Sequence, residues 1–373
     1  MPGVNVLVVD DSAVIRRLVS TVLDGDRDIH VIGTANNGAI ALERIAALSP
    51  DLVTLDVEMP VMDGLTALRE IRRRWPTLPV IMFSTLTERG ASATIDALLS
   101  GASDYVTKPS NVGSFAAGVE AVKEQLVPKI KALCHRTLAS GGSAVASVAP
   151  RPTTTSTTPI VRAADPSLAK RATRTHRPEI LVIGASTGGP DALCTVLRDI
   201  PANFPVAIAI VQHMPPLFTK MFAERLDRTS PLTVREAVGG EELRPGTVWV
   251  APGDHHLELR REGGVVKTHL SSAPPENYCR PAVDVLFRSA AGIYGGGVLA
   301  CVLTGMGHDG GVGSKAIVAA GGSVIVQDER TSVVWGMPGT VATAGSAGAI
   351  LPLDRIADAL TQAARTNALV GTP

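Results

Sequence analysis

The stretch Ile180-Leu-Val-Ile-Gly-Ala-Ser-Thr-Gly-Gly-Pro190 decides the fold of the second half of the chain. It begins as an apolar, β-branched run, which is typical of a buried strand. A glycine-rich turn ends the strand, and a helical pattern follows. The glycines on either side of Ser186 have the spacing of a nucleophile elbow, in which a sharp turn exposes a small nucleophile. Two other interpretations stay open here. Ser186 can cap the helix, or the loop can bind a dinucleotide, although that pattern needs glycine at position 186.

Length and composition indicate two globular domains with aliphatic cores. The chain has 373 residues, too many for one ordinary domain, and only 3% are aromatic. No apolar run approaches the ~20 residues of a membrane span. The N-terminus has no signal-peptide layout, so we expect a cytoplasmic protein without membrane insertion. The four cysteines lie at positions Cys134, Cys194, Cys279 and Cys301. Their spacing is typical neither of a metal site nor of a disulfide framework.

The distribution of charge argues against nucleic-acid binding. Residues 1–139 contain 14 basic and 16 acidic residues, and residues 179–373 contain 15 and 18, net charges of −2 and −3. Neither part has the basic surplus of a nucleic-acid-binding domain. Residues 140–178 are rich in proline and threonine and hold 6 basic residues and 1 acidic residue, which predicts a flexible linker. Whether this basic linker also docks an acidic partner stays open.

The first domain, residues 1–125, alternates strand and helix patterns as a doubly wound parallel sheet does. Its last helix is expected to extend to about residue 139. Polar residues follow four of its five predicted strands, at Asp10, Asp11, Asp56, Ser84 and Lys108. The carboxyl ends of parallel strands form the edge where such sheets build their sites.

Three carboxylates at one edge repel each other unless a cation lies among them, and oxygen ligands favour Mg²⁺. A metal-neutralised aspartate can then attack a phosphoryl donor, while a lysine and a hydroxyl hold the phosphoryl oxygens. Helix capping explains single aspartates such as Asp63, but it does not explain the whole set.

This part of the chain resembles a response-regulator receiver domain, with a (βα)5 fold. The resemblance implies that Asp56 takes a phosphoryl group from a chemotaxis histidine kinase. It implies Mg²⁺ ligands at Asp10, Asp11, Asp56 and the backbone carbonyl of Glu58. It also implies that Ser84 and Lys108 are switch residues and that the Lys108–Pro109 bond is cis.

In the second domain, three polar residues come after apolar strands. Ser186 follows the strand quoted above, His213 follows the run 205–211, and Asp309 comes shortly after the run 298–303. A parallel sheet brings those ends to one edge, where serine, histidine and aspartate have the roles of nucleophile, base and orienting acceptor. Backbone N–H groups of Thr187 or of Gly305–Gly307 can form an oxyanion hole.

Other interpretations of these residues remain. Taken alone, His213 is compatible with a buried, hydrogen-bonded histidine, and Asp309 with a helix N-cap. A zinc site is conceivable from His213, His255, His256, His308 and Asp309. That set does not have zinc-ligand spacing, and adjacent His255 and His256 do not easily face one ion.

Residues 179–367 resemble the catalytic domain of the chemotaxis protein-glutamate methylesterase. The resemblance lies in the segments Gly184–Pro190, Gln212–Met214, Ala251–Gly253, Tyr278–Pro281 and Thr304–Gly310. It implies a doubly wound, mostly parallel α/β hydrolase domain without a cofactor, and the catalytic triad Ser186, His213 and Asp309. It also implies that the Met306 backbone serves the oxyanion hole.

The implied activity is demethylation of glutamate methyl esters, and deamidation of glutamines, on chemoreceptors. Phosphorylation of the receiver is expected to activate it. The leading alternative is a related hydrolase that acts on a non-chemotaxis signalling partner. A DNA-binding response regulator and a non-catalytic interaction module are further alternatives. The acidic balance and the absence of a helix-turn-helix pattern argue against the former, and the complete triad argues against the latter.

Overall fold

The computed structural model describes residues 3–109, 115–135 and 176–366. Most of the predicted linker lies outside these residues. So do the predicted extension of the last receiver helix beyond residue 135 and the predicted domain end at residue 367.

The N-terminal domain is a five-stranded parallel sheet with helices on both faces, as predicted. Its elements are β1 (Val4–Val9), α1 (Ala13–Asp24), β2 (Ile29–Ala35), α2 (Gly38–Leu48), β3 (Leu52–Asp56), α3 (Gly64–Arg74), β4 (Val80–Ser84), α4 (Glu88–Leu99), β5 (Asp104–Thr107) and α5 (Phe115–Leu133). The strand order is β2-β1-β3-β4-β5. The order in which strands are added to the sheet reverses between β1 and β3. This switch point places the carboxyl ends of these two parallel strands side by side.

The C-terminal domain is built on a seven-stranded parallel sheet. Its elements are β6 (Ile180–Ala185), α6 (Gly189–Asp199), β7 (Ala207–Gln212), α7 (Phe218–Thr229), β8 (Thr233–Glu236), β9 (Thr247–Val250), β10 (His256–Glu262), β11 (Val265–Ser271), α8 (Val283–Tyr294), β12 (Val298–Val302), α9 (Gly311–Ala319), β13 (Ser323–Gln327), α10 (Met337–Thr343), β14 (Ala349–Leu351) and α11 (Leu353–Arg365). The order is β14-β13-β12-β6-β7-β9-β8, and β10 and β11 form a separate antiparallel hairpin.

The sequence patterns predict a last strand over Ser323–Gln327 and nothing after it, whereas the structure has α10, β14 and α11 there. The short strand β14 has only three residues, which is too few for a periodic signal. Helix α11 is different, because Ile356, Leu360 and Ala363 form a buried stripe that helical spacing reveals. The strand β8 was also missed, since its exposed and buried residues alternate over only four positions.

Aliphatic side chains fill both cores, as the low aromatic content requires. Strands β3, β4, β6, β7 and β12 are buried along their whole length because helices cover both faces of each sheet. One apolar cluster continues from the receiver into the second domain. At that junction Tyr105 stacks on Phe218, with ring centroids 4.9 Å apart and an interplanar angle of 11°. No helix among the described residues has the length and apolar character needed to cross a membrane.

Candidate functional site

The three predicted triad residues follow three neighbouring strands. Strands β12, β6 and β7 are adjacent at the centre of the sheet, with β6 between the other two. Ser186 follows β6, His213 follows β7, and Asp309 lies in the loop after β12. All three line a single cavity of about 470 Å³. The topology therefore brings together residues that are up to 123 positions apart in the chain.

The turn that carries Ser186 depends on glycines. Gly188 has φ of 75°, a left-handed conformation that glycine adopts without strain. Gly305 lies so close that a Cβ atom there would be 2.8 Å from the Ser186 Cβ, so only glycine lets this loop approach the serine. Gly188 is the N-cap of α6 and no side chain caps that helix. The alternative role of Ser186 as a helix cap is therefore wrong.

His213 is held between an acid and a thiol. Its Nε2 lies 2.8 Å from Asp309 Oδ2, and its Nδ1 lies 3.5 Å from Cys279 Sγ. A neutral ring that donates Nε2–H to the carboxylate presents Nδ1 as its basic nitrogen. Burial lowers the pKa of the ring, but hydrogen bonds to Asp309 and Cys279 outweigh it, so the net effect is a raised pKa for His213 and a more basic ring. The side chain is only 12% exposed, but it faces the cavity.

Asp309 is a buried carboxylate bound at the N-terminus of another helix. The first N–H groups of α8, from Val283 and Asp284, donate to it at 2.6 and 3.0 Å. Burial raises the pKa of Asp309, but the bonds to His213 and to these N–H groups outweigh burial and lower it to about 2. The predicted alternative, that Asp309 caps its own helix, is wrong, because Gly310 is the N-cap of α9 without a side-chain cap.

Asn277 separates Asp309 from a second buried acid, Asp284. Its amide nitrogen donates to Asp309 Oδ1 at 3.0 Å and to Asp284 Oδ2 at 2.9 Å. Burial raises the pKa of Asp284, and the nearby Asp309 charge adds to that effect. Asn277 therefore lets two acids lie close together while the one bonded to His213 stays ionised.

Within the described residues, no hydrogen bond joins Ser186 to the His213 ring. Catalytic hydrogen bonds are often long in the absence of substrate and shorten only in its complex. The backbone N–H groups of Thr187 and Met306 also have no hydrogen-bond partner among the described residues, and both residues line the cavity. They are available to an oxyanion.

The predicted acidic cluster forms at the edge of the receiver sheet. Carboxylate oxygens of Asp10, Asp11 and Asp56 lie within 4.8 Å of one another. Lys108 Nζ lies 2.8 Å from both Asp10 and Asp56. Burial and the neighbouring Asp10 charge raise the pKa of Asp56 to about 6, although Lys108 opposes this. These carboxylate oxygens, buried in Asp10 and Asp56 and exposed in Asp11, have a spacing that fits a hard divalent cation such as Mg²⁺.

The other predicted receiver residues, Ser84 and Glu58, lie beside this acidic cluster. Ser84 and Glu58 line a cavity of about 250 Å³ together with Asp56 and Lys108. Ser84 Oγ donates to the Gly90 carbonyl at 3.1 Å. The prediction that the Lys108–Pro109 peptide bond is cis is wrong. Lys108 reaches both carboxylates without it, and the cis peptide of the described residues is Arg280–Pro281.

The histidines of the conceivable zinc site do not meet at a metal-binding geometry. His256 bonds to the Pro274 carbonyl at 3.1 Å and to the Ala282 N–H at 3.2 Å, so both ring nitrogens are used. Elsewhere among the described residues, the acidic group of the receiver is the one cluster whose ligand atoms converge.

Comparison with known proteins matches both halves. Residues 181–360 match the family model for the CheB methylesterase, and residues 6–120 match the response regulator receiver domain. A protein-glutamate methylesterase/protein-glutamine glutaminase of a Nocardioides strain is 57% identical over 95% of this chain and 93% of its own length. The chain belongs to this family.

Two further similarities cover different shares of the chain. A relative of the same name from Trichodesmium erythraeum is 48% identical over 96% of this chain and 98% of its own. The crystal structure of the Thermotoga maritima CheB methylesterase catalytic domain is 47% identical, with a TM-score of 0.49, over 50% of this chain and 99% of that one.

In this family member the receiver reaches into the cavity that holds Ser186. Leu98, Asp104, Tyr105 and Lys129 all line it. Asp104 Oδ2 accepts a hydrogen bond from Thr187 Oγ1 at 2.5 Å, and Lys129 Nζ donates to Asp104 Oδ1 at 2.8 Å. The receiver thus binds the residue next to Ser186.

Sequence reasoning missed several residues of the site. Asp104 is the first residue of β5, where a charged residue does not by itself indicate a site, and its partner Thr187 is 83 positions away. Cys279 and Asn277 were missed as well, although Cys279 belongs to a segment that the family resemblance singled out. Only the fold shows that this segment lies against His213.

Proposed function

We propose that this protein hydrolyses glutamate methyl esters on chemoreceptors, and deamidates receptor glutamines, through an acyl-serine intermediate. The observation that carries the proposal is the meeting of Ser186, His213 and Asp309 in one cavity at the ends of three adjacent strands. The names of close relatives support the substrate class.

In the proposed reaction, Ser186 Oγ attacks the carbonyl carbon of the ester while His213 Nδ1 takes the hydroxyl proton. The tetrahedral intermediate then breaks its bond to the methoxy oxygen, which leaves as methanol with that proton. Water, deprotonated by His213, attacks the acyl-serine and releases a glutamate carboxylate and free Ser186. A glutamine substrate follows the same path and loses ammonia.

Asp309 supports this cycle by staying ionised. Its carboxylate fixes the ring with Nε2 protonated and stabilises the imidazolium that forms in each half-reaction. The N–H groups of α8 hold the charge in place although the residue is only 2% exposed. The N–H groups of Thr187 and Met306 are suited to the oxyanion, because neither has a hydrogen-bond partner among the residues that the structure describes.

The contacts between the receiver and the catalytic cavity also support a proposal for regulation. With the receiver docked, Asp104 and Tyr105 occupy one wall of the catalytic cavity, which restricts access by a helical protein substrate. Phosphorylation at Asp56 is proposed to favour a second packing in which this wall withdraws. Asp10, Asp11, Asp56 and the Glu58 carbonyl would hold Mg²⁺. When bound, the ion neutralises the carboxylates and the transferring phosphoryl group.

We also propose domain boundaries and a cellular location. The receiver is assigned to residues 1–125 with its last helix extending to about residue 139, the linker to 140–178 and the hydrolase to 179–367. Ser84 and Lys108 are assigned as switch residues, because each lies at the rim of the acidic site. A cytoplasmic location follows, since the methylated receptor helices and the histidine kinase are cytoplasmic.

Methanol release from methylated chemoreceptor membranes tests the proposal, measured with and without a small phosphodonor and Mg²⁺. We expect release that increases with phosphodonor and disappears in Ser186→Ala. Release that the phosphodonor does not change would refute the regulation but keep the hydrolase. Activity on a small ester without receptor demethylation would indicate a different signalling partner.

A further inference from the structure

A tight turn at residues 276–279 forms part of the rim of the catalytic cavity. Glu276 N–H donates to the Cys279 carbonyl at 3.0 Å, and Cys279 N–H donates to the Glu276 carbonyl at 2.9 Å. The backbone φ is 54° at Asn277 and 64° at Tyr278. Positive φ at both central residues is the pattern of a type I′ turn, which favours asparagine followed by glycine. Asn277 fits that preference, but Tyr278 does not.

The residues around Tyr278 are all anchored by their side chains. The pairs are Glu276–Arg288, Asn277–Asp309, Cys279–His213 and Arg280–Asp254. Tyr278 itself is 100% exposed, and no hydrogen bond or ring contact involves it within the described residues. The turn is thus rigidly bound to the catalytic residues while its largest side chain projects into solvent.

The positive φ of Tyr278 destabilises the fold, and the fully exposed ring makes no packing contact that would compensate for it among the described residues. A bulky residue in the left-handed region is strained, and strain of this kind concentrates at binding and catalytic sites. An unpacked ring contributes no burial to offset it. Tyrosine is, however, among the side chains that contribute most at protein interfaces, because its ring is large and has few rotatable bonds.

We propose that Tyr278 is a substrate-docking residue whose ring packs on apolar side chains of the methylated receptor helix. This inference rests on the proposed function. Tyr278 lines the same cavity as Ser186 and His213 but its side chain is fully exposed, so the ring is accessible to a helix that presents its ester to Ser186. Met306 lines the same cavity and is 36% exposed, so it adds apolar surface to the lining of that cavity. The docked receiver leaves Tyr278 uncovered, so the ring is available to the receptor.

The test compares Tyr278→Gly with Tyr278→Phe in the full chain with phosphodonor and Mg²⁺. Methanol release from receptor membranes gives KM and kcat, and hydrolysis of p-nitrophenyl acetate reports the catalytic residues without docking. Loss of a buried aromatic contact costs about tenfold in KM. We expect that increase for Tyr278→Gly on receptors, with unchanged hydrolysis of the small ester and no fall in Tm. Tyr278→Phe keeps the ring and should behave as wild type.

Two results would overturn the docking role. One is a receptor KM for Tyr278→Gly within twofold of wild type. The other is an equal loss on both substrates, which would show that the turn only supports His213. If the wild-type chain hydrolyses the small ester but releases no methanol from receptors, the proposed function itself fails, and the docking role fails with it. The wild-type measurement separates that case from the first two.

Discussion

Asp104→Asn is expected to activate the unphosphorylated protein. Asp104 is 5% exposed and Thr187 is 6% exposed, and their hydrogen bond is 2.5 Å long. A hydrogen bond to a charged group contributes about 1.5–3 kcal/mol, and a neutral one about 0.5–1.5 kcal/mol. The isosteric amide therefore weakens the docked arrangement by roughly 1–1.5 kcal/mol, which shifts the ratio of docked to open protein five- to tenfold.

The assay is the initial rate of methanol release from methylated receptor membranes without phosphodonor. Asp104→Asn should be about five- to tenfold faster than wild type, with the same maximum rate once phosphodonor is added. Asp96→Asn is the matched control, because Asp96 also faces the second domain but its pair with Arg225 is 3.6 Å long and exposed. Such pairs contribute little, so we expect about a twofold change at most. An Asp104→Asn rate equal to wild type, with normal stimulation by phosphodonor, would refute the argument.

Three further outcomes are expected. Asp309→Asn removes a hydrogen bond that raises the pKa of His213, so the rise of kcat/KM with pH should begin at lower pH. We also expect kcat to fall about 10²–10⁴-fold. An unshifted pH profile would contradict the pairing of His213 with Asp309. Chelation of Mg²⁺ by EDTA should abolish stimulation by phosphodonor but leave the basal rate unchanged, and a lost basal rate would show that the metal serves the hydrolase. Iodoacetamide should inactivate the wild type faster with phosphodonor than without it. Cys279→Ser should resist, since the thiol of Cys279 faces His213 in the cavity, and equal inactivation of that variant would place the reactive thiol elsewhere.

The sequence determined the architecture because the relevant signals are local. Apolar runs at Val4–Val9 and Ile180–Ala185 mark buried parallel strands, and the polar residues directly after them mark the edge where parallel sheets bind ligands. The predicted meeting of Asp10, Asp11 and Asp56 follows from that rule alone. The family resemblance added the reaction and the substrate class, which no periodicity contains.

Only the tertiary structure decided how the catalytic residues are held and covered. The N-terminus of α8 and the Asn277 side chain both bind Asp309 from segments more than 20 positions away in the chain. The bond from Thr187 to Asp104 joins two domains, so it depends on their packing and leaves no local pattern in either segment. The positive φ of Tyr278 likewise arises from a turn fixed at both ends by side-chain bonds. Local propensity fixes which elements form, whereas these long-range contacts exist only once the sheets have assembled.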